Sequence, residues 1–160
     1  MSPSEREEFY ARLAPLVEAL QHGLDADLTA LALFGSRARG EARPESDWDI
    51  LLIANHLPEK PLQRHFYIKA MLPDHWRARV SILAKTPAEF ESRLPALYLD
   101  IALDGILLHD PQGYLHQRLT RLRNLMQRLR LQRERVNGDW AWRWQQTQPA
   151  DRSLAWEAAP

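Results

Sequence analysis

Short apolar runs, each cut off by glycine, proline or charge, constrain this chain more than any other feature. Leu28-Thr29-Ala30-Leu31-Ala32-Leu33-Phe34 stops at Gly35, and Ile50-Leu51-Leu52-Ile53 follows the acidic Asp47-Trp48-Asp49. Arg79-Val80-Ser81-Ile82-Leu83 and Gly105-Ile106-Leu107-Leu108 are further runs of the same kind. Such lengths suit buried strands. Helical spacing lies between them. Phe9, Leu13, Leu16, Val17 and Leu20 recur at three and four behind a Ser4–Glu7 capping box, which predicts a first helix ending near Gly23. Thr86-Pro87-Ala88-Glu89 supplies an N-cap, a first-turn proline and a capping-box glutamate for a short helix to about Leu94. Leu97 to Asp104 is ambiguous. Leu115, Leu119, Leu122, Met126 and Leu129 predict a long helix from Pro111 to Val136, stopped by Asn137-Gly138. Strands alternating with helices over 160 residues point to one α/β (α+β) domain, a small mixed sheet with helices packed on it.

Composition removes several classes. Apolar residues make up 45% and charged residues 26%, which is globular usage rather than the signature of disorder. No apolar stretch approaches a membrane span, and the N-terminus, Met1-Ser2-Pro3-Ser4-Glu5-Arg6, lacks a basic region followed by an apolar one. Neither membrane insertion nor secretion is expected. Cysteine is absent, which excludes disulfides, thiolate metal sites and thiol nucleophiles, and agrees with a cytoplasmic protein. The net charge of zero conceals a split. Residues 1–110 carry 12 basic and 17 acidic side chains, a balance of −5, whereas residues 111–160 carry 9 and 4, a balance of +5.

Chemistry concentrates in Phe34-Gly35-Ser36-Arg37-Ala38-Arg39-Gly40 and Ser46-Asp47-Trp48-Asp49. Strand alternation points Asp47 and Asp49 to one face and Trp48 to the other. Two adjacent carboxylates raise one another's pKa, a conflict that a divalent cation removes; magnesium is commonly held by one or two carboxylates plus substrate phosphates. Gly35 permits a tight turn with close backbone approach, and Ser36 opens a short helix whose hydroxyl and free amides can meet the terminal phosphates of a nucleoside triphosphate. Arg37 and Arg39 are nearby candidates for phosphate oxygens.

This combination resembles the DNA polymerase β-type nucleotidyltransferase superfamily. The stretch from Leu33 to Leu52 is most similar to its minimal nucleotidyltransferases, several of which act as antitoxins to a helical toxin partner. The resemblance runs from about Leu28 to Asp110 and implies a nucleotidyltransferase fold; residues 1–110, including the N-terminal helix, are expected to form that domain, with a basic helix and Trp-rich tail at 111–160 packed on it. It further implies that Gly35, Ser36, Arg37 and Arg39 bind nucleotide and that Asp47 and Asp49 hold two Mg2+ ions. The reaction is then an in-line displacement at the α-phosphorus of ATP or another NTP, with pyrophosphate leaving.

The pattern breaks at one position. Active members carry a third carboxylate on a neighbouring strand, and the matching residue is Ser81, whose neutral hydroxyl supplies no charge. Three accounts remain open: a nucleotide-binding but silent protein, substitution by Asp74 or His75, or a different strand register.

The expected C-terminal helix carries seven arginines (Arg118, Arg121, Arg123, Arg128, Arg130, Arg133, Arg135) against Glu134. Arg121, Arg128 and Arg135 fall at seven-residue spacing, a solvated face or a docking surface for an acidic protein partner. A nucleic-acid role is weaker, because aromatic residues are not interleaved with the basic ones. Trp140, Trp142 and Trp144 alternate and would share one face of an extended segment.

Overall fold

The computed structural model describes residues 1–144 and 154–156. Helix α1 spans Pro3–Leu24. Its N-cap is Ser2 rather than Ser4: the Ser2 hydroxyl accepts from Glu5 N at 3.3 Å, and the Glu5 carboxylate answers Ser2 N. Pro3 explains the shift, since proline is favoured at the first helical position, where its missing N–H costs nothing.

The remaining elements are β1 (Leu28–Phe34), α2 (Gly35–Arg39), β2 (Trp48–Ala54), α3 (Pro61–Met71), α4 (Asp74–Arg77), β3 (Val80–Lys85), α5 (Pro87–Ser92), α6 (Ala96–Asp104), β4 (Ile106–His109), α7 (Tyr114–Arg128), β5 (Leu131–Val136) and β6 (Asp139–Trp144). The main sheet has the order β3-β2-β1-β4. Strand β1 is antiparallel to both β2 and β4, and β2 is parallel to β3, so the sheet is mixed. Alternation sorts its side chains between two cores. Leu31, Leu33, Ile50 and Leu52 pack with α1 and α3, while Ala30, Ala32, Leu51 and Ile53 pack with α5, α6 and α7. No helix of the described residues is long and apolar enough to cross a membrane.

Two expectations change here. The ambiguous segment is helix α6, with Tyr98, Leu99, Ile101 and Ala102 buried. The long helix ends at Arg128 instead of Val136, and residues 131–144 form an antiparallel hairpin. Asn137 (φ 53°) and Gly138 (φ 91°) both adopt left-handed backbone, as a tight two-residue hairpin turn requires. Arg135 is therefore a strand residue, and only Arg121 and Arg128 of the three-arginine stripe share α7. Within the hairpin Trp140, Trp142 and Trp144 do alternate along β6. Of the tail beyond it, residues 145–153 and 157–160 lie outside the described residues. Trp156 is buried against Phe90 and Tyr98, its Nε1 donating to Phe90 O and Arg93 O, both at 3.0 Å.

The hairpin is strapped to the domain by charge. Arg133, with a side chain only 10% exposed, pairs with Asp100 and Asp104 of α6. Trp142 Nε1 donates to Asp100 Oδ1 at 3.1 Å, and Arg135 pairs with Glu41 at 3.0 Å.

A second charged node joins α3 to α5. Arg64 donates from Nη1 and Nη2 to the two Glu89 carboxylate oxygens at 2.7 and 2.9 Å, and Glu89 also accepts from Thr86 N at 2.9 Å in the expected capping box. The Arg64 hydrogen bonds hold the Glu89 carboxyl at about 2. Its folded pKa is thus depressed, so its contribution is fully present above the ordinary 4.5 and is lost as pH falls toward 2. Glu89→Gln should lower the melting temperature at neutral pH, and thermal melts should show the deficit shrinking as pH drops below 4.5. A deficit unchanged at low pH would rule out the ionised carboxylate as its source.

Candidate active site

The first strand ends where the chain must turn beside a carboxylate. Phe34 is extended, and Gly35 takes φ +74° to open α2. A Cβ built on Gly35 would lie 2.3 Å from Asp49 Oδ2. Only glycine fits both the left-handed backbone and that approach. Strand register then draws a row across one end of the sheet: Phe34 lies opposite Asp49, and Asp49 lies opposite Ser81. Gly35-Ser36 and Ser81 therefore flank Asp49 from its two sides.

Asp47 sits just before β2 and is exposed, whereas Asp49 is half-buried. Between them Trp48 turns the other way, into the α1–α3 core, 5.7 Å from the Trp76 ring. Burial first, and the charge of Asp47 second, raise the Asp49 carboxyl above the ordinary aspartate range; Arg39 and Arg37 offset part of this. A half-buried carboxylate beside a like charge, with a glycine-lined approach, is a donor set suited to one hard divalent cation.

Of the arginines expected near phosphate, Arg37 is engaged by the loop. Its guanidinium lies 4.2 Å from the Trp48 ring centroid and donates to Ser46 O and to Pro44 O (3.3 Å), clamping the segment that delivers Asp47. Arg39 pairs with Glu41 at 2.9 Å, and Glu41 receives Arg135 of the hairpin on its other oxygen. Glu41 therefore ties the Gly-Ser turn to the hairpin, a link with no local motif to announce it. Lys69 was also illegible in the sequence. From α3 its ammonium donates to Arg77 O and Val80 O, both at 2.6 Å, at the start of β3. Asp74, 92% exposed, pairs with Arg77 at 2.7 Å, and His75 packs on Trp76, so neither is drawn toward Asp49. A separate cavity of about 390 Å³ lies between α3 and the free edge of β3, and it includes Lys69 but none of Gly35, Ser36, Asp47 or Asp49.

A nucleotidyltransferase-domain family model matches residues 16–128. The chain belongs to this family. A Methanocaldococcus jannaschii protein named for protein adenylyltransferase activity is 26% identical over 108 residues, covering 65% of this chain and 74% of that protein. Among solved structures, a toxin–antitoxin complex with AMP-PNP superposes with a TM-score of 0.54 at 18% identity, covering 73% of this chain and 88% of the other. A variant of the MntA–HpeT toxin–antitoxin complex gives 0.52 at 16% identity, covering 72% and 87%. These likenesses establish the nucleotidyltransferase fold, in agreement with the resemblance noted from the sequence.

Proposed function

We propose that the protein transfers a nucleotidyl group, AMP from ATP, to a hydroxyl of a cytoplasmic protein or small-molecule acceptor. The observation that carries this reading is the close packing of Gly35 on the Asp49 carboxylate, which brings the Gly-Ser turn and the acidic pair to one strand end. Ser36 and the amides of its turn hold the terminal phosphates, and Asp47 and Asp49 are the residues that would hold a Mg2+ ion. When bound, the ion supplies positive charge against the leaving pyrophosphate. Arg37 fixes the loop bearing Asp47, and Arg39, once released from Glu41, meets a phosphate oxygen. The acceptor oxygen forms its bond to the α-phosphorus as the bond to pyrophosphate breaks, and the hydroxyl proton passes to solvent or a carboxylate. The relative named for protein adenylyltransferase activity and the neighbour solved with AMP-PNP support this choice of nucleotide and a proteinaceous acceptor.

One observation favours a second reading. Ser81 lies beside Asp49 where a third carboxylate is expected, which suits an antitoxin-type module that binds nucleotide or partner without efficient transfer. In that reading Arg121 and Arg128 of α7 face an acidic protein partner; the neighbours that share the fold are solved as toxin–antitoxin complexes. Incubation with ATP labelled at the α-phosphate and Mg2+ separates the two. Transfer predicts label on an acceptor with pyrophosphate release; the module predicts Mg2+-dependent ATP binding by calorimetry with no pyrophosphate. Absence of NTP binding would overturn both.

A further inference from the structure

We infer that this site assembles a single divalent-cation position, on Asp47 and Asp49, and that the second position of a two-ion site is absent, the carboxylate it needs being replaced by the Ser81 hydroxyl. The inference rests on the proposed nucleotide site and concerns how many ions that site can carry.

Three observations converge. The parallel register sets Ser81 next to Asp49, on the sheet face shared by alternate residues of β2 and β3. A neutral hydroxyl there replaces the anion that a second hard cation needs, and it offers a far weaker ligand. Among the described residues no other acid makes up the deficit, and no cluster of three or more His, Asp or Glu side chains could hold a metal. Asp74 points to solvent on Arg77, and both Glu41 oxygens are taken by Arg39 and Arg135.

The third observation is a fixed cation close to the start of β3. Lys69 is fixed by two 2.6 Å hydrogen bonds to carbonyls, one of them on Val80, the residue preceding Ser81. Burial lowers the Lys69 pKa, and the charge of Asp47 offsets part of this, so the two side chains lie within electrostatic reach. A fixed ammonium at this end of β3 disfavours a second dication nearby. Lysine also cannot be displaced cheaply, because leaving would strand two carbonyl acceptors at the strand end.

Counting ions tests this without relying on turnover. The full chain is titrated with Mn2+ in the presence of the non-hydrolysable analogue α,β-methylene-ATP, and bound Mn2+ is read by electron paramagnetic resonance against an analogue-only control. One Mn2+ per chain is the expected result. Two per chain would overturn the inference while leaving the nucleotide site intact. None would overturn the nucleotide-site reading itself, and the inference with it. Ser81→Asp, at an exposed position, should raise the count to two, and Ser81→Ala should leave it at one. A folded Ser81→Asp protein that still binds one ion would show that Ser81 is not the missing ligand. The wild-type count decides the matter even if that variant fails to fold.

Discussion

Asp49→Asn should reduce label transfer from ATP by roughly 10²–10³-fold, the loss typical when one charged or hydrogen-bonding group aimed at the reacting phosphate is removed. The same substitution should leave the melting temperature unchanged or higher. In the folded protein burial and Asp47 raise the Asp49 carboxyl above its ordinary 3.8. A carboxyl with a raised folded pKa takes up its proton more readily in the native than in the unfolded state. Its ionisation therefore lowers stability as pH rises through the interval above 3.8, and that penalty persists at neutral pH. An amide carries no such penalty. Activity measured by label transfer and stability measured by calorimetry should thus move in opposite directions, as expected where a strained charge is retained for function. A variant that loses stability along with transfer would show Asp49 to be structural, and one that keeps transfer would remove it from the site.

Gly35→Ala carries the second large effect. The new methyl would require left-handed backbone at φ +74° and would meet Asp49 Oδ2 at 2.3 Å. The backbone cost alone is about 1–2 kcal/mol. Relief of the clash must move either the turn or the carboxylate, so transfer should fall about as far as in Asp49→Asn. A double-mutant cycle separates the two contributions. In an Asp49→Ala background the carboxylate is gone, and Gly35→Ala should then show only the backbone cost in denaturant unfolding. Full additivity of the two stability losses would mean that Gly35 and Asp49 do not press on each other.

Much of this architecture is legible in the sequence because its signals are local. The runs ending at Phe34 and starting at Trp48 are strands because they are buried on both faces, and Gly35, Ser36, Asp47 and Asp49 stand at their ends, with Ser81 near the start of β3. The Thr86–Glu89 box is a self-contained hydrogen-bond pattern. Misreadings arise where tertiary context decides. Helix α6 is apolar on more than one side, so it lacks the polar face by which a helix is recognised. The C-terminal helix is overextended because Leu129 continues the helical spacing of Leu115 to Met126, and because Asn137-Gly138 suits a helix stop as well as the hairpin turn it makes. The links made by Glu41 and Lys69 have no sequence signature, since their partners lie at long separation or on carbonyl oxygens.

The strap of the hairpin onto the domain shows where the chain's opposing charges go. Arg133 to Asp100 and Asp104, Arg135 to Glu41, and Arg118 to Glu91 each join a base from beyond residue 110 to an acid before it. Three of the nine basic side chains of the +5 segment thus form a neutralising seam with the −5 segment within one molecule. A polyanion approaching from solvent meets fewer available guanidinium groups than the residue count implies. Were the chain cut after Asp110, the two pieces would carry −5 and +5 and hold together best in dilute salt. The shielded Arg133 contact would be the last to yield as ionic strength rose.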